Sequence, residues 1–469
     1  MRAARARGAV LAALAVPALL AASCSGGPEA DAFPADDGRP LVVVSSADLT
    51  TRDGRSVRRE LIDAWNAIEG NREARLVELP SGADTARSQL VASLQSGTAD
   101  FDLLNLDIVW IPEFAEAGLI AELDEELLEP DFLPQAARAG RWRGAVYAVP
   151  FNTDVGLLYY RTDLLGELDR GPERLREETL GELLGNWPRG ARHPLYITQL
   201  ASYEGLTVNA MEALWSSGAE LVDEDGRYVG SREELEAGLR ELERITGAEI
   251  NPLADEADET LSLREFSDED SGTVLMRNWP YAATQLDAAL PPDVGFGITT
   301  LPGAAALGGQ SLAVAADSVR ARDAEKLIEF LTHPGTDSQR SLLRAGFAPA
   351  LRDAYRLEGS GGPDCHRSRF FARPEPPSGD RRELPPGAPS GSAPVYGAVG
   401  YAELLWCALQ EARPRPATPH YPEFSRLLRT EVKRMLDDKG WTPRSAAEAL
   451  HEALPGVLGG EPVRPAESP

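Results

Sequence analysis

The sequence predicts an α/β fold large enough for two lobes, on three observations. Buried-strand and amphipathic-helix patterns alternate from Leu41 to Ala117. A second run of helical periodicity, enough for a second α/β lobe, occupies about 161–290. The chain has 469 residues, 43% of them hydrophobic, which is enough to bury a large core. Alternation of this kind argues for a mostly parallel sheet with helices on its faces.

Taken in order, "PLVVVSSADLT" reads as a buried strand, Leu41 to Ser45, opening into a polar turn that carries Asp48 and Thr50. Val57, Leu61, Ile62, Trp65 and Ile68 recur at helical spacing. A strand over 75–79 and a helix with Ala86, Leu90, Val91 and Leu94 follow, ending at Gly97. In "DFDLLNLDIVWIPEFAEAGLI" residues 101–106 form a strand with Asp107 at its C-terminal end and Trp110 just beyond. The helix over 111–117 stops at Gly118. "WRGAVYAVPFNTDVGLLYYRTDLL" holds two apolar strands, 145–149 and 155–160, around Asn152 and Asp154. Helices are expected near 180–184, 204–216 and 232–245.

"GTVLMRNWPYAATQL" gathers Arg277, Asn278, Trp279 and Tyr281 around one proline. Pro280 pushes Trp279 out of helical geometry and itself suits a first helical turn, so the group is placed where a strand over 273–276 gives way to a helix. "VGFGITTLPGAAALGGQSLAVAADS" returns to strands, and 324–331 and 336–343 are amphipathic helices that would cover a sheet. Residues 359–394, dense in Gly, Pro and Ser, read as an irregular surface excursion. The C-terminal region is helical over 402–412, 422–436 and 446–454, with Thr442-Pro443 as cap and first-turn pair. Residues 456–469 read as a disordered tail. The chain carries no internal repeat.

Charge and termini narrow the function. The formal net charge is -27, and after the first few residues no run rich in Lys or Arg occurs, which argues against nucleic-acid binding. Only Lys326, Lys433 and Lys439 are lysines among 47 basic residues, a high-GC coding signature. The N-terminus places Arg2, Arg5 and Arg7 before an apolar run, Ala9 to Ala22, too short to span a bilayer. Residues 1–23 are therefore read as a signal peptide. Ala21-Ala22-Ser23-Cys24 resembles the bacterial lipobox, with Ala21 where leucine is usual, which implies cleavage before Cys24 and a diacylglycerol on its thiol. Residues 24–39 would then be a flexible tether. The two remaining cysteines, Cys365 and Cys407, can make one intramolecular pair in an exported chain. The five histidines are scattered without metal-ligand spacing, so no metal and no cofactor are expected.

No catalytic residue is nominated. The chain contains no Gly-x-Ser-x-Gly elbow, no His-Glu-x-x-His, no Walker loop and no Gly-x-Gly-x-x-Gly. What stands out is a set of polar and aromatic residues where strands end: Asp48, Asp107 with Trp110, Asn152 with Asp154, Tyr203 with Glu204, Trp279 with Tyr281, and Gly308-Gly309-Gln310. Carboxylates and amides grip vicinal hydroxyls in pairs, and aromatic rings stack on apolar sugar faces, so the set fits a sugar cleft. Each has a structural alternative: Asp107 as a helix cap, Asn152 in a turn, Trp110 in the core.

The stretches "DLLNLDIVWIPEFAEAGLI", "YAVPFNTDVGLLYYRTDLL", "QLASYEGLTVNAMEALWSSG", "VLMRNWPYA", "ALGGQSLAVAADS" and "ARPRPATPHYPEFS" are similar, in order and spacing, to the extracellular solute-binding proteins of ABC importers, particularly their maltose/trehalose-binding branch. The resemblance covers nearly all of 40–455. It implies a periplasmic-binding-protein-like fold of two α/β lobes joined by hinge strands, here 40–151 with 300–350 and 152–299 with 351–455, closing on a sugar. It places Asp107 on sugar hydroxyls, Asn152 and Asp154 at the first hinge, Tyr203 and Glu204 facing the cleft, and Trp279 as the stacking tryptophan with Tyr281 beside it. Gln310 stands where related proteins often carry an aromatic. The resemblance further implies a monomer, a sugar ligand, an ABC permease as partner, and lipid anchoring to the outer face of the membrane of a high-GC Gram-positive bacterium. A same-fold protein for a non-sugar solute or a sensor partner is the alternative, and a secreted carbohydrate hydrolase is a third reading.

Overall fold

The computed structural model describes residues 38–46, 56–80, 82–97, 100–128, 131–167, 175, 180–185, 196–223, 226–247, 250, 253, 256–291, 294–355, 364–365, 370–372 and 398–461. Cys24, the tether and Asp48 lie outside these residues. The described strands are β1 (Leu41–Ser46), β2 (Ala74–Leu79), β3 (Leu103–Asp107), β4 (Arg141–Trp142), β5 (Ala145–Val146), β6 (Val149–Val155), β7 (Leu157–Arg161), β8 (Tyr196–Ile197), β9 (Leu275–Asn278), β10 (Phe296–Thr300), β11 (Leu307–Val314), β12 (Ala348–Pro349) and β13 (Phe370–Ala372). One sheet runs β12-β6-β11-β3-β1-β2 and a second β13-β10-β7-β9-β8, while β4 and β5 make a separate hairpin.

The first sheet begins as the alternation predicts, with β1 parallel to both β2 and β3 and a helix in each connection. The expectation of a mostly parallel sheet fails beyond them. β11 is antiparallel to β3 and β6, and β12 is antiparallel to β6. The cause is the route of the chain. β6 leaves the first sheet for the second, and β11 returns at that same end of the strands, so it must run against its neighbours. In the second sheet β8 and β9 are parallel and the other pairs antiparallel.

The passage between sheets falls at Gly156, between β6 and β7, so a boundary at 151/152 would cut a continuous strand. The chain comes back between Thr300 and Leu307. A third segment runs alongside: Leu307 N donates to Arg413 O and Arg413 N to Ala305 O, both at 2.8 Å.

Packing follows the period of two along β1. Leu41 and Val43 belong to one core with the helices Val57–Asn66 and Ala321–Thr332, whereas Val42 and Val44 face the other core with Leu90 and Leu94. Ile68, expected on the first helix face, lies past its end and is 45% exposed. Asp102, fully buried, accepts from Val42 N at 2.8 Å and from Ser318 Oγ and Arg320 Nε at 2.6 and 2.9 Å, which fastens the turn after β11 to the sheet. A buried carboxylate needs such partners.

Cys365 and Cys407 are joined by a disulfide that ties the chain before β13 to the helix Ala398–Glu411 across a sequence separation of 42. Its reduction is expected to cost about 2–4 kcal/mol through the larger unfolded ensemble. Denaturant unfolding with and without reductant measures this, and coincident midpoints would contradict it.

Candidate ligand-binding site

The site is built where β3, β6 and β11 end at the passage between sheets. Gln310 of β11 lies directly opposite Asp107 of β3 on one side and Asn152 of β6 on the other, so the three form one row. The register shifts between Gln310 and Ser311, because Asn152 opposes the first and Pro150 the second, leaving Phe151 as an extra residue. This bulge resets the alternation along β6 and brings Asn152 into the row. Gly309 adopts φ +117°, and a Cβ there would collide with the Asn152 carbonyl, so only glycine fits.

Gln310 has its side chain committed within the first sheet. Its Oε1 accepts from Arg58 Nη2 at 2.7 Å and Asn105 Nδ2 at 2.5 Å, and its Nε2 donates to Ser46 Oγ at 3.1 Å. It holds the floor of the site together. Asp107 accepts from Val109 N at 3.1 Å, the cap foreseen for it, and remains half-buried at the edge. Asn152 is 2% exposed; its Nδ2 donates to Asp154 Oδ2 at 3.4 Å. Buried Oδ1 atoms of Asn105 and Asn152 and Nε of Arg415 have no hydrogen-bond partner among the described residues. Orphaned buried polar atoms are rare in folded proteins.

The facing side comes from the second sheet. Tyr203 precedes the helix Glu204–Ser216, and its ring lies over Gly205, where a Cβ would strike it. Its hydroxyl donates to Glu259 Oε2 at 2.5 Å, while Trp279 Nε1 donates to Glu259 Oε1 at 3.3 Å, so one carboxylate orients both rings. Strand β9 reaches Asn278, two residues beyond the expected end, which buries Arg277 and Asn278 and leaves Trp279 half-buried at the strand terminus. Tyr159 Oη donates to Trp279 O at 2.7 Å, and Tyr401 Oη to Pro280 O at 2.9 Å. The indole reaches over to the first sheet: a Cβ on Gly308 would stand 3.2 Å from it. Tyr281 packs against the core of the first sheet.

Arg415 joins the two sides. From the segment after the helix Ala398–Glu411, its Nη2 donates to Asp107 Oδ1 at 3.1 Å and its Nη1 to Glu204 Oε1 at 2.7 Å. Glu204 also accepts from Tyr421 Oη and, at 2.7 Å, from Ser425 Oγ. Burial raises the Glu204 carboxyl above its ordinary range, against the pull of Arg415. Burial works in the opposite sense on Arg415, lowering it, but Asp107, Tyr421 and Glu204 outweigh burial and hold the guanidinium above its ordinary range.

Eight of the expected residues thus meet at one place: Asp107, Asn152, Asp154, Tyr203, Glu204, Trp279, Gly309 and Gln310. Trp110 does not join them. It is 8% exposed and stacked on Phe114 at 6.4 Å, because the turn after Asp107 directs it into the core. Arg58, Asn105, Glu259 and Arg415 were not singled out by the sequence. A lone arginine in a chain so rich in them gives no signal, although Arg415 lies within "ARPRPATPHYPEFS". Among the described residues no group of three His, Cys, Asp or Glu is placed to hold a metal ion. A cavity of about 250 Å³ lined by Tyr196, Glu212, Ser216, Glu241 and Leu301 lies elsewhere and includes none of the row.

Residues 61–361 match the family model described as bacterial extracellular solute-binding protein. The chain is 28% identical over 316 residues to a probable ABC transporter-binding protein of Deinococcus radiodurans, across 63% of this chain and 72% of that one. Its fold is similar to maltose-bound MalE3 of T. maritima, with TM-score 0.71 and 24% identity over 89% of this chain and 100% of that one. It is also similar to UgpB of Mycobacterium tuberculosis in complex with glycerophosphocholine, with TM-score 0.67 and 17% identity over 90% and 98% of the two chains.

Proposed function

Because the chain belongs to the bacterial extracellular solute-binding proteins, we propose that it captures a sugar between its two sheets and passes it to the permease of an ABC transporter. A disaccharide or oligosaccharide of the trehalose or maltose type fits best. The observation that carries the reading is the row Asp107-Gln310-Asn152, with the orphaned Asn152 Oδ1 in it, set across from the Trp279 indole. Paired acceptors opposite an aromatic face suit a ring that bears hydroxyls on its rim and C–H bonds on its faces. Asp107, Asn152, Asp154, Glu204 and Arg415 would contact hydroxyls, and Trp279 would stack. The role is binding, not catalysis, in keeping with the family.

A thermal-shift screen against maltose, trehalose, maltotriose, longer oligosaccharides and non-sugar solutes, followed by calorimetry, tests this. Stabilisation by a sugar supports the proposal; stabilisation by amino acids or peptides alone would overturn it. A second reading, a non-sugar solute, is favoured by Gln310, which stands where related proteins often carry an aromatic that would suit a second sugar ring. Polyol phosphodiesters in the same screen separate the two.

Membership of an extracellular family makes the chain an exported protein, and no helix among the described residues is long and apolar enough to cross a membrane. We read Cys24 as its lipidated N-terminus. Intact-mass analysis of the native protein is expected to find diacylglycerol on Cys24, and Cys24→Ser should release the protein into the medium. An unmodified Cys24 in the wild type would refute the anchor.

A further inference from the structure

Behind Trp279, on the side of the passage between sheets, lies a buried ion pair that the binding role does not use directly. Arg277, 1% exposed, places its guanidinium carbon 3.9 Å from the centroid of the Trp279 ring. The same guanidinium grips Glu212 with both arms, Nη2 to Oε1 at 2.7 Å and Nε to Oε2 at 3.1 Å, and Nη1 donates to Gln199 Oε1 at 3.2 Å. Glu212 Oε1 in turn accepts from Ala306 N at 3.0 Å, on the segment returning to the first sheet. Gly156, on the outgoing segment, donates to Ala306 O at 3.3 Å, and a Cβ there would stand 2.9 Å from Arg277 Nη2. Both connecting segments therefore rest against one ion pair, and that pair supports the indole.

We propose that Glu212 and Arg277 are positioning residues that couple the hinge segments at Gly156 and Ala306 to the seating of the Trp279 ring. The pair is bidentate and buried, with side chains 1% and 6% exposed, so a shift of the Ala306 amide displaces the carboxylate, and the guanidinium carries the displacement to the indole. The solute would meet a platform whose position depends on the angle between sheets, which gives bound solute and closure a shared structural element. The ligand half of this argument rests on the solute-capture reading; the mechanical half does not.

The test is a mutant cycle read on the Trp279 indole N–H resonance, identified by its loss in Trp279→Phe. Gly156→Ala, which adds a methyl at the hinge, should shift that resonance in the wild-type background. It should leave it unmoved when Glu212→Gln and Arg277→Met are present together, a pair that removes both buried charges at once and so avoids stranding either. Equal shifts in both backgrounds, or in neither, overturn the coupling. If Gly156→Ala does not fold, Glu212→Asp decides in its place, since it keeps the charge but withdraws it from Ala306 by one methylene. Movement of the Ala306 amide and Trp279 indole signals together supports the relay, and movement of the Ala306 signal alone overturns it. Any solute found by the screen should bind the Glu212→Gln, Arg277→Met protein about tenfold more weakly. A screen that finds no solute would sink the capture reading, and the spectra would still judge the relay.

Discussion

Arg415→Ala is expected to lower the stability of the ligand-free protein by about 3–5 kcal/mol, the range for breaking a buried ion pair from one side. Its side chain is 3% exposed and lies between Asp107 and Glu204, whose side chains are 22% and 12% exposed. Truncation leaves these two carboxylates facing each other without a cation in a poorly solvated place. Because Asp107 ends a strand of the first sheet and Glu204 begins the helix that follows β8 of the second, the loss should also loosen the contact between the two sides. Urea unfolding measures the first effect and small-angle scattering the second, as a larger radius of gyration before solute is added. Arg415→Lys keeps the charge but cannot bridge two carboxylates with a planar fork, so an intermediate loss is expected. A variant as stable and as compact as wild type would show that the bridge contributes nothing in solution.

Trp279→Ala is expected to weaken binding of the solute by about 30-fold or more, the loss of roughly 2 kcal/mol that truncating a central aromatic contact brings. Trp279→Phe should recover part of it, since a smaller ring can still stack. The fold should survive, because the indole is half-buried at the end of β9 and the backbone beneath it is held by Tyr159 and Tyr401. Asp107→Asn removes a charge-assisted acceptor and should cost roughly 1.5–3 kcal/mol of binding. Calorimetry on both variants decides, and a solute whose affinity neither change touches would place the site elsewhere.

Most elements were legible because their signals are local. The helix Arg232–Thr246 was expected over 232–245, and Gly118 at φ +65° ends a helix as foreseen. The errors also have local causes. β9 was placed two residues early because Arg277 and Asn278 look like solvated residues after a strand; a carboxylate, Glu212, lets the arginine stay inside. The bulge at Phe151 leaves no mark in the periodicity, so the pairing of Asn152 with Gln310 is not legible in the sequence.

Alternation of strands and helices, the apolar runs and the position of Pro280 sufficed to derive an α/β chain with a polar and aromatic group at its strand ends. Such patterns depend on neighbours within a few residues, and the chain carries them whatever the rest of it does. The direction of β11, the partners of Gln310 and the place of Arg415 could not be read this way. Arg415 meets Glu204 across 211 residues and Asp107 across 308. Contacts of that span exist only once both sheets have formed and the third connecting segment has been laid between them, because only then does burial single out one arginine from many and supply the carboxylates that keep it charged.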